Sequence, residues 1–268
     1  MNKLNKYLHI LILFLGYSFL YVPLINLIIF SFNDASIVTS WTGFSFRWYI
    51  CLYQDKELLQ SAKLSLEIAI LSATAAVIIG TWASYVLIHV GRFRGFQLYL
   101  AMLNAPLVIP DVVLGIALLL MFIEIRNCIG WPFENGFFTI WIGHIILCIA
   151  FVSVIVQARV HELDSSLEEA ALDLGAKPLK VFFNITLPLI YPALLSAWLL
   201  SFTLSLDDVV VASFLSGPGA TTLPMTIFSR VRLGLRPEIN ALATIFIFLV
   251  AICVILASQF NFKFFKIK

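Results

Sequence analysis

Charge is scarce in this chain of 268 residues. Only 12% of them are Asp, Glu, Lys or Arg, against 61% hydrophobic residues and a mean hydropathy of +1.00. Soluble domains carry about 25% charged residues, so this chain cannot cover its own surface, and its hydrophobicity excludes disorder. A net charge of +2 is too small to indicate a nucleic-acid partner. Cysteine is scarce too. Cys51, Cys128, Cys148 and Cys253 are scattered, without a CxxC pair and far in sequence from His9, His89, His144 and His161. That spacing argues against a metal site, no cofactor is expected, and a Cys51–Cys128 disulfide is left open. The phosphate-binding pattern GxxxxGK[ST] is missing as well. If nucleotide hydrolysis drives this protein, another polypeptide carries it out, and the chain itself is not expected to be an enzyme.

What is abundant is long apolar sequence. A membrane helix needs about 20 apolar residues. Six stretches qualify: about Tyr7–Phe32, Leu64–Val90, Leu98–Ile123, Phe137–Val156, Leu187–Leu206 and Ile239–Phe260. The expected fold is all-α, a polytopic membrane protein of six transmembrane helices in a single domain over 1–268. Residues 1–60 supply the first span and an outer segment, and 61–260 a five-span core. The first run is too long for a signal peptide and has no A-x-A site after it. Basic residues orient the chain. Lys3, Lys6, Arg92, Arg94, Arg159, Lys177, Lys180 and the C-terminal lysines fall on one side, which places both termini in the cytoplasm. Acids such as Asp55, Glu57 and Glu134 fall outside. An acidic entrance favours cations, although positive-inside bias alone also leaves acids there.

The expected inner loop, Gln157–Thr186, looks structured. Ser165-Ser166-Leu167-Glu168 reads as a capping box. Leu167, Ala170, Ala171 and Leu174 follow at helical spacing and form one apolar face. Gly175 suits a left-handed C-cap, and Pro178 stops continuation. A short amphipathic helix over about 164–176 is therefore expected, lying on lipid or docking into a soluble partner. Glu169-Ala170-Ala171, then Gly175, Ile185 and Leu187-Pro188, resembles the EAA motif of ABC importer permeases at every fixed position. The resemblance implies that Glu168, Glu169, Ala170, Ala171 and Gly175 form a coupling helix that fits a groove on an ATP-hydrolysing subunit.

Ionisable residues inside a membrane cost several kcal/mol, so each needs a reason. Asp111 falls inside the third predicted span, beside Pro106 and Pro110, each of which removes a helical N–H. Broken helices are tolerated where they line a cavity, so these prolines are candidate hinges. The carboxylate either takes a cation or pairs with another helix. Asp207 and Asp208 end the fifth span. Adjacent carboxylates diverge on a helix, and Ser216–Pro224 holds turn residues able to unwind it; pairing with Arg230 or Arg232 is the alternative. Glu67 is explained by snorkelling. Trp41, Trp48, Tyr49 and Tyr53 suit a membrane interface, and also cation–π contact with alkylammonium groups.

Trp48-Tyr49, Pro110-Asp111, Ser201–Asp208, Ser216-Gly-Pro-Gly219 and Pro237–Thr244 are similar to the polyamine branch of these permeases, the membrane subunits of spermidine and putrescine importers. That resemblance runs end to end. It implies a substrate path using Trp48 and Asp111 with Asp207 and Asp208 nearby, a type I (MetI-like) importer fold in the bacterial inner membrane, and putrescine as the solute ahead of spermidine. It implies as partners a second homologous permease, two ATPase subunits and an extracytoplasmic binding protein, besides the bilayer. Spans two to six would form the core, with span one wrapping a partner. A proton-coupled secondary transporter would leave the EAA segment unexplained, and a scaffolding subunit without a pathway would keep uptake intact in Asp111→Asn.

Overall fold

The protein is described here by a computed structural model covering residues 3–36, 40–91, 93–234, 237–248 and 251–252, with side chains from residue 9. It is helical. The helices are α1 (Lys3–Ser31), α2 (Arg47–Gln54), α3 (Lys56–His89), α4 (Phe96–Val108), α5 (Asp111–Ile129), α6 (Phe137–His161), α7 (Ser166–Asp173), α8 (Pro178–Val181), α9 (Leu187–Asp207), α10 (Val210–Leu215), α11 (Leu223–Leu233) and α12 (Pro237–Phe248). A π-helical turn, Phe182–Thr186, joins α8 to α9. Among the described residues there is no strand, only an isolated bridge between Asn33 and Phe44.

Five segments are long and apolar enough to cross a membrane: His9–Ser31, α3, α5, α6 and the run Pro178–Asp207; α4 and α12 are apolar but shorter. Three expectations change. The third predicted span is two helices. Pro106 stays inside α4, near its end, where a single lost N–H is tolerated, and the chain turns extended at Ile109 and Pro110. At about 1.5 Å per residue α5 runs roughly 28 Å. By length and composition it suffices as a span, and Asp111 is its first residue. The expected 30-residue loop is also shorter, because α6 continues to His161 and helix resumes at Pro178. The third change is α10, a short helix that follows the expected end of α9 at Asp207. The end of the sixth predicted span, beyond α12, lies outside the described residues, as do Arg92 and the C-terminal lysines.

The chain separates into two compact units, Met1–Leu59 with Ile227–Lys268, and Gln60–Thr226. In the first, Asn33 organises the segment between α1 and α2. Its Oδ1 accepts the Thr42 N–H at 2.9 Å and its carbonyl accepts the Trp48 indole N–H at 2.7 Å. The Ser31 and Tyr49 hydroxyls pair at 2.8 Å. Arg230 on α11 is held by Asp55, by Glu57 at 2.8 Å and by Glu238 at 3.7 Å. Hydrogen bonding from Arg230 holds the Asp55 carboxyl below its ordinary range, and the bond to Asp55 raises the Arg230 guanidinium further above its own.

In the second unit α6 is the central helix, packed against α4, α9 and α10. In lipid the hydrophobic effect does not drive helices together; close approach and polar contacts do. Ala69, Ala73 and Ala76 of α3 are fully buried, and one turn on, a Cβ on Gly80 would stand 2.8 Å from Val152 Cγ1 of α6. Along the same helix Ser72 donates to the Trp141 carbonyl and Ser84 to that of Ser153. The stripe recurs at i, i+4, i+7 and i+11, so its small residues share one face and bring α3 onto α6.

Candidate functional site

The candidate residues fall at separate places. At one end of the second unit stands α7. Its start is not the expected capping box. Ser165 makes no side-chain cap, and the Ser166 N–H is taken at 3.0 Å by Asp164, whose carboxyl that bond draws below its usual range. Glu168 is drawn elsewhere. One oxygen accepts a hydrogen bond from the buried Thr186 hydroxyl, and the other lies 2.7 Å from His89 Nε2. The tertiary partners outcompete the local cap. The C-terminus matches expectation. Gly175 has φ +85°, its N–H bonds the Leu172 carbonyl at 2.9 Å, and the Ala176 N–H bonds that of Ala171 at 3.1 Å. This pair of bonds is a Schellman motif.

The faces of α7 differ from the expected apolar stripe. Glu168 and Ala171 are half-buried towards the protein, whereas Leu167, Glu169, Ala170, Leu172 and Leu174 are exposed. The outward surface thus combines an acid, a small residue and three leucines, of which Leu174 is 89% exposed.

At the end of α9 lies the other polar feature. The backbone leaves the helix at Asp208, with ψ 127°. The carboxylate of Asp208 accepts the Val211 N–H at 3.3 Å and the Ala212 N–H at 2.7 Å, capping α10. His144 Nε2 of α6 approaches Asp208 Oδ2 at 3.2 Å, within ion-pair distance but outside hydrogen-bond geometry. His144 Nδ1 lies 2.7 Å from Ser205 Oγ. His144 is 1% exposed and the Asp208 side chain 8%. Asp207, its neighbour, is exposed. The alternative partners have contacts within their own unit: Arg230 is held by Asp55, Glu57 and Glu238, and the Arg232 guanidinium sits 4.5 Å above the Phe228 ring.

Two glycines receive α10. A Cβ on Gly115 would stand 2.5 Å from the Phe214 ring, and one on Gly143 2.3 Å from Leu215. After α10, Gly217 lies so close to the Asn135 carbonyl that a Cβ would fall 1.9 Å from its oxygen. The unwinding therefore occurs at Asp208 and Val209, ahead of the Ser216–Pro224 stretch.

Asp111 is exposed at the first turn of α5, where a carboxylate suits the helix dipole. It belongs with Asp207 and Asp208 to the second unit. Trp48 belongs to the first, where it is buried at 7% exposure, bonded to Asn33, with the Arg47 guanidinium 5.2 Å from its ring. Cys51 and Cys128 are free thiols. His144 was invisible in the sequence as a site residue. A lone histidine in an apolar helix carries no local signal, and its partners lie more than sixty positions away.

Comparison with known proteins agrees with this architecture. The family of binding-protein-dependent transport system inner membrane components matches residues 76–264. The putrescine transport system permease PotI of Escherichia coli K12 is 57% identical over 236 residues, covering 88% of this chain and 84% of that protein. The spermidine/putrescine permease PotC of the same organism is 42% identical over 243 residues, 91% and 89% of the two chains. A bacterial ABC transporter involved in alginate import has the same fold at TM-score 0.71 and 17% identity, covering 97% and 98% of the two chains. The MetNI methionine ABC transporter follows at 0.60 and 15%, covering 76% and 94%. The chain therefore belongs to the family of binding-protein-dependent transport system inner membrane components, the permease subunits of ABC importers, and is a membrane-spanning transport component.

Proposed function

We propose that this chain works as one permease domain forming half of the translocation path of an ATP-driven importer for a polyamine, putrescine ahead of spermidine. The carrying observation is the 57% identity to a putrescine permease over most of both chains. The site chemistry supports it. A diamine carries two separated positive charges, and separated carboxylates with exposed oxygens meet them. Asp111 at the start of α5 and Asp207 at the end of α9 have that character. Asp208 does not, because its oxygens already cap α10 and face His144. Asp207 is thus the path residue of the adjacent pair, and Asp208 supports the break on which it stands. Trp48 is assigned to the path by the resemblance; in its own unit it is buried against Asn33 and offers little ring surface to a ligand.

In this reading both termini are cytoplasmic. The exposed face of α7, with Glu169, Ala170 and the leucines, docks an ATPase subunit, and Gly175 returns the chain to the membrane. Pro110 is the hinge, with Pro106 stiffening α4 before it. The partners are a second homologous permease, two ATPases and a binding protein on the outer side. Access alternates as the ATPases close and reopen, and nucleotide state and outer docking are linked reciprocally through this subunit.

The test is uptake in cells lacking polyamine importers and supplied with this chain and its partner subunits. Labelled putrescine should enter in an ATP-dependent manner, with unlabelled spermidine competing weakly. Uptake driven by a pH gradient without the ATPase would overturn the reading.

A further inference from the structure

Glu168 stands beside the EAA segment yet faces away from the surface on which a partner would sit. The Glu168 side chain is 19% exposed, and both of its oxygens are occupied. Oε1 accepts from Thr186, which is fully buried in the π turn between α8 and α9. Oε2 meets His89 Nε2 at 2.7 Å, at the last residue of α3. The other His89 nitrogen lies 3.1 Å from the Tyr85 carbonyl, so both ring nitrogens face oxygen acceptors. Tyr85 stacks on this ring at 3.9 Å, and Phe182 of the π turn packs between Tyr85 and Trp82 at 4.8 Å from each. One carboxylate thereby joins α7 to two membrane helices at once.

The position of Thr186 adds a second, independent observation. The π turn ends two residues before Pro188, whose missing N–H loosens the helical ladder there, and π turns of this kind concentrate at functional positions. Thr186 is the last residue of that turn, and α9 begins at the next residue and continues, with Pro192 inside it, to Asp207. A single helix of 21 residues, about 30 Å long, has the tie to α7 at one end and the broken, acidic segment at the other.

We propose that Glu168, Thr186 and His89 form a positioning tie that transmits displacement of α7 to α9 and α3, separate from the docking surface made by Glu169 and its exposed neighbours. The tie rests on the reading that α7 meets the ATPase. Removing it leaves ATP hydrolysis in place and disconnects it from solute movement.

The experiment uses the assembled transporter in membrane vesicles, with ATP hydrolysis and putrescine uptake measured on the same preparation. Thr186→Val and His89→Gln should lower uptake per ATP hydrolysed about tenfold, the range in which residues along a coupling route act, with hydrolysis near the wild-type rate. Thr186→Ser, which keeps the hydroxyl, should restore the ratio. Glu168→Gln reads the same point with little change of shape if Thr186→Val does not assemble. Wild-type uptake per ATP in Thr186→Val or Glu168→Gln overturns the tie, and so does a parallel fall of hydrolysis and uptake. Failure of the wild-type complex to move putrescine on ATP counts instead against the functional reading.

Discussion

Asp208 and Asp207 are neighbours in sequence with opposite surroundings. Asp208 accepts two backbone N–H groups and faces a buried imidazole, so its replacement acts on structure. Loss of such a cap costs about 1 kcal/mol. Asp208→Ala, which removes the accepting oxygens, should lower the amount of folded permease in the membrane, as read by immunoblot, and lower uptake in proportion. Asp207→Asn should leave the amount unchanged and weaken putrescine uptake about tenfold through the loss of one charged contact. Equal abundance and equal uptake in the two variants would contradict this division. The pair of aspartates was visible in the sequence, but the difference between them was not. It depends on His144 and on a helix that begins two residues later, and neither leaves a mark at Asp207.

At the scale of elements, the first, second, fourth and fifth spans and the end of α7 were legible because their signals are local. Apolar length marks a membrane helix, and Gly175 followed by Pro178 marks a helix end. The start of α7 was misread because Ser165-x-x-Glu168 fits a capping box while Asp164 offers a competing cap, and tertiary partners for Glu168 decided between them. Gly175 at φ +85° admits other residues only with strain. Gly175→Ala should cost about 1 kcal/mol, seen as weaker co-purification of the ATPase with the permease. The π turn and α10 were unreadable for another reason. α10 is six residues long and is defined by what receives it. A Cβ at Gly143 or Gly217 has no room, against Leu215 in the first case and the Asn135 backbone in the second. Gly143→Ala should therefore destabilise by about 1–3 kcal/mol. Gly217→Ala should be worse, since a carbonyl yields less than a side-chain tip. Thermal unfolding in detergent ranks them, and a Gly217→Ala protein as stable as wild type would refute the ordering.

For the whole molecule, low charge identified the solvent, and the helices show what that solvent must supply. The apolar window of α1 has none of its residues buried, whereas that of α6 is 61% buried. The family's inner-membrane setting supplies lipid for such a surface, and the proposed second permease would cover part of it. The few charges outside the spans matter for acid stability. Asp55 is held below its ordinary value by Arg230, so its contribution is complete above the unfolded carboxyl value near 4 and is lost as pH falls through the lowered folded value. The difference in melting temperature between wild type and Asp55→Asn should be constant near neutrality and shrink below about pH 4. A difference that persists undiminished in acid would show that the aspartate acts through something other than its charge.

The glycine slots under α10 also bear on how this permease can change over generations. Phe214 and Leu215 must arrive over Gly115 and Gly143, and Asp208 must arrive at the first turn of the same short helix. One residue inserted or deleted between Asp208 and Leu215 would rotate the arriving side chains by about 100° and miss both slots. New solute preferences at this break therefore arise by replacing side chains, with the length of the segment held constant.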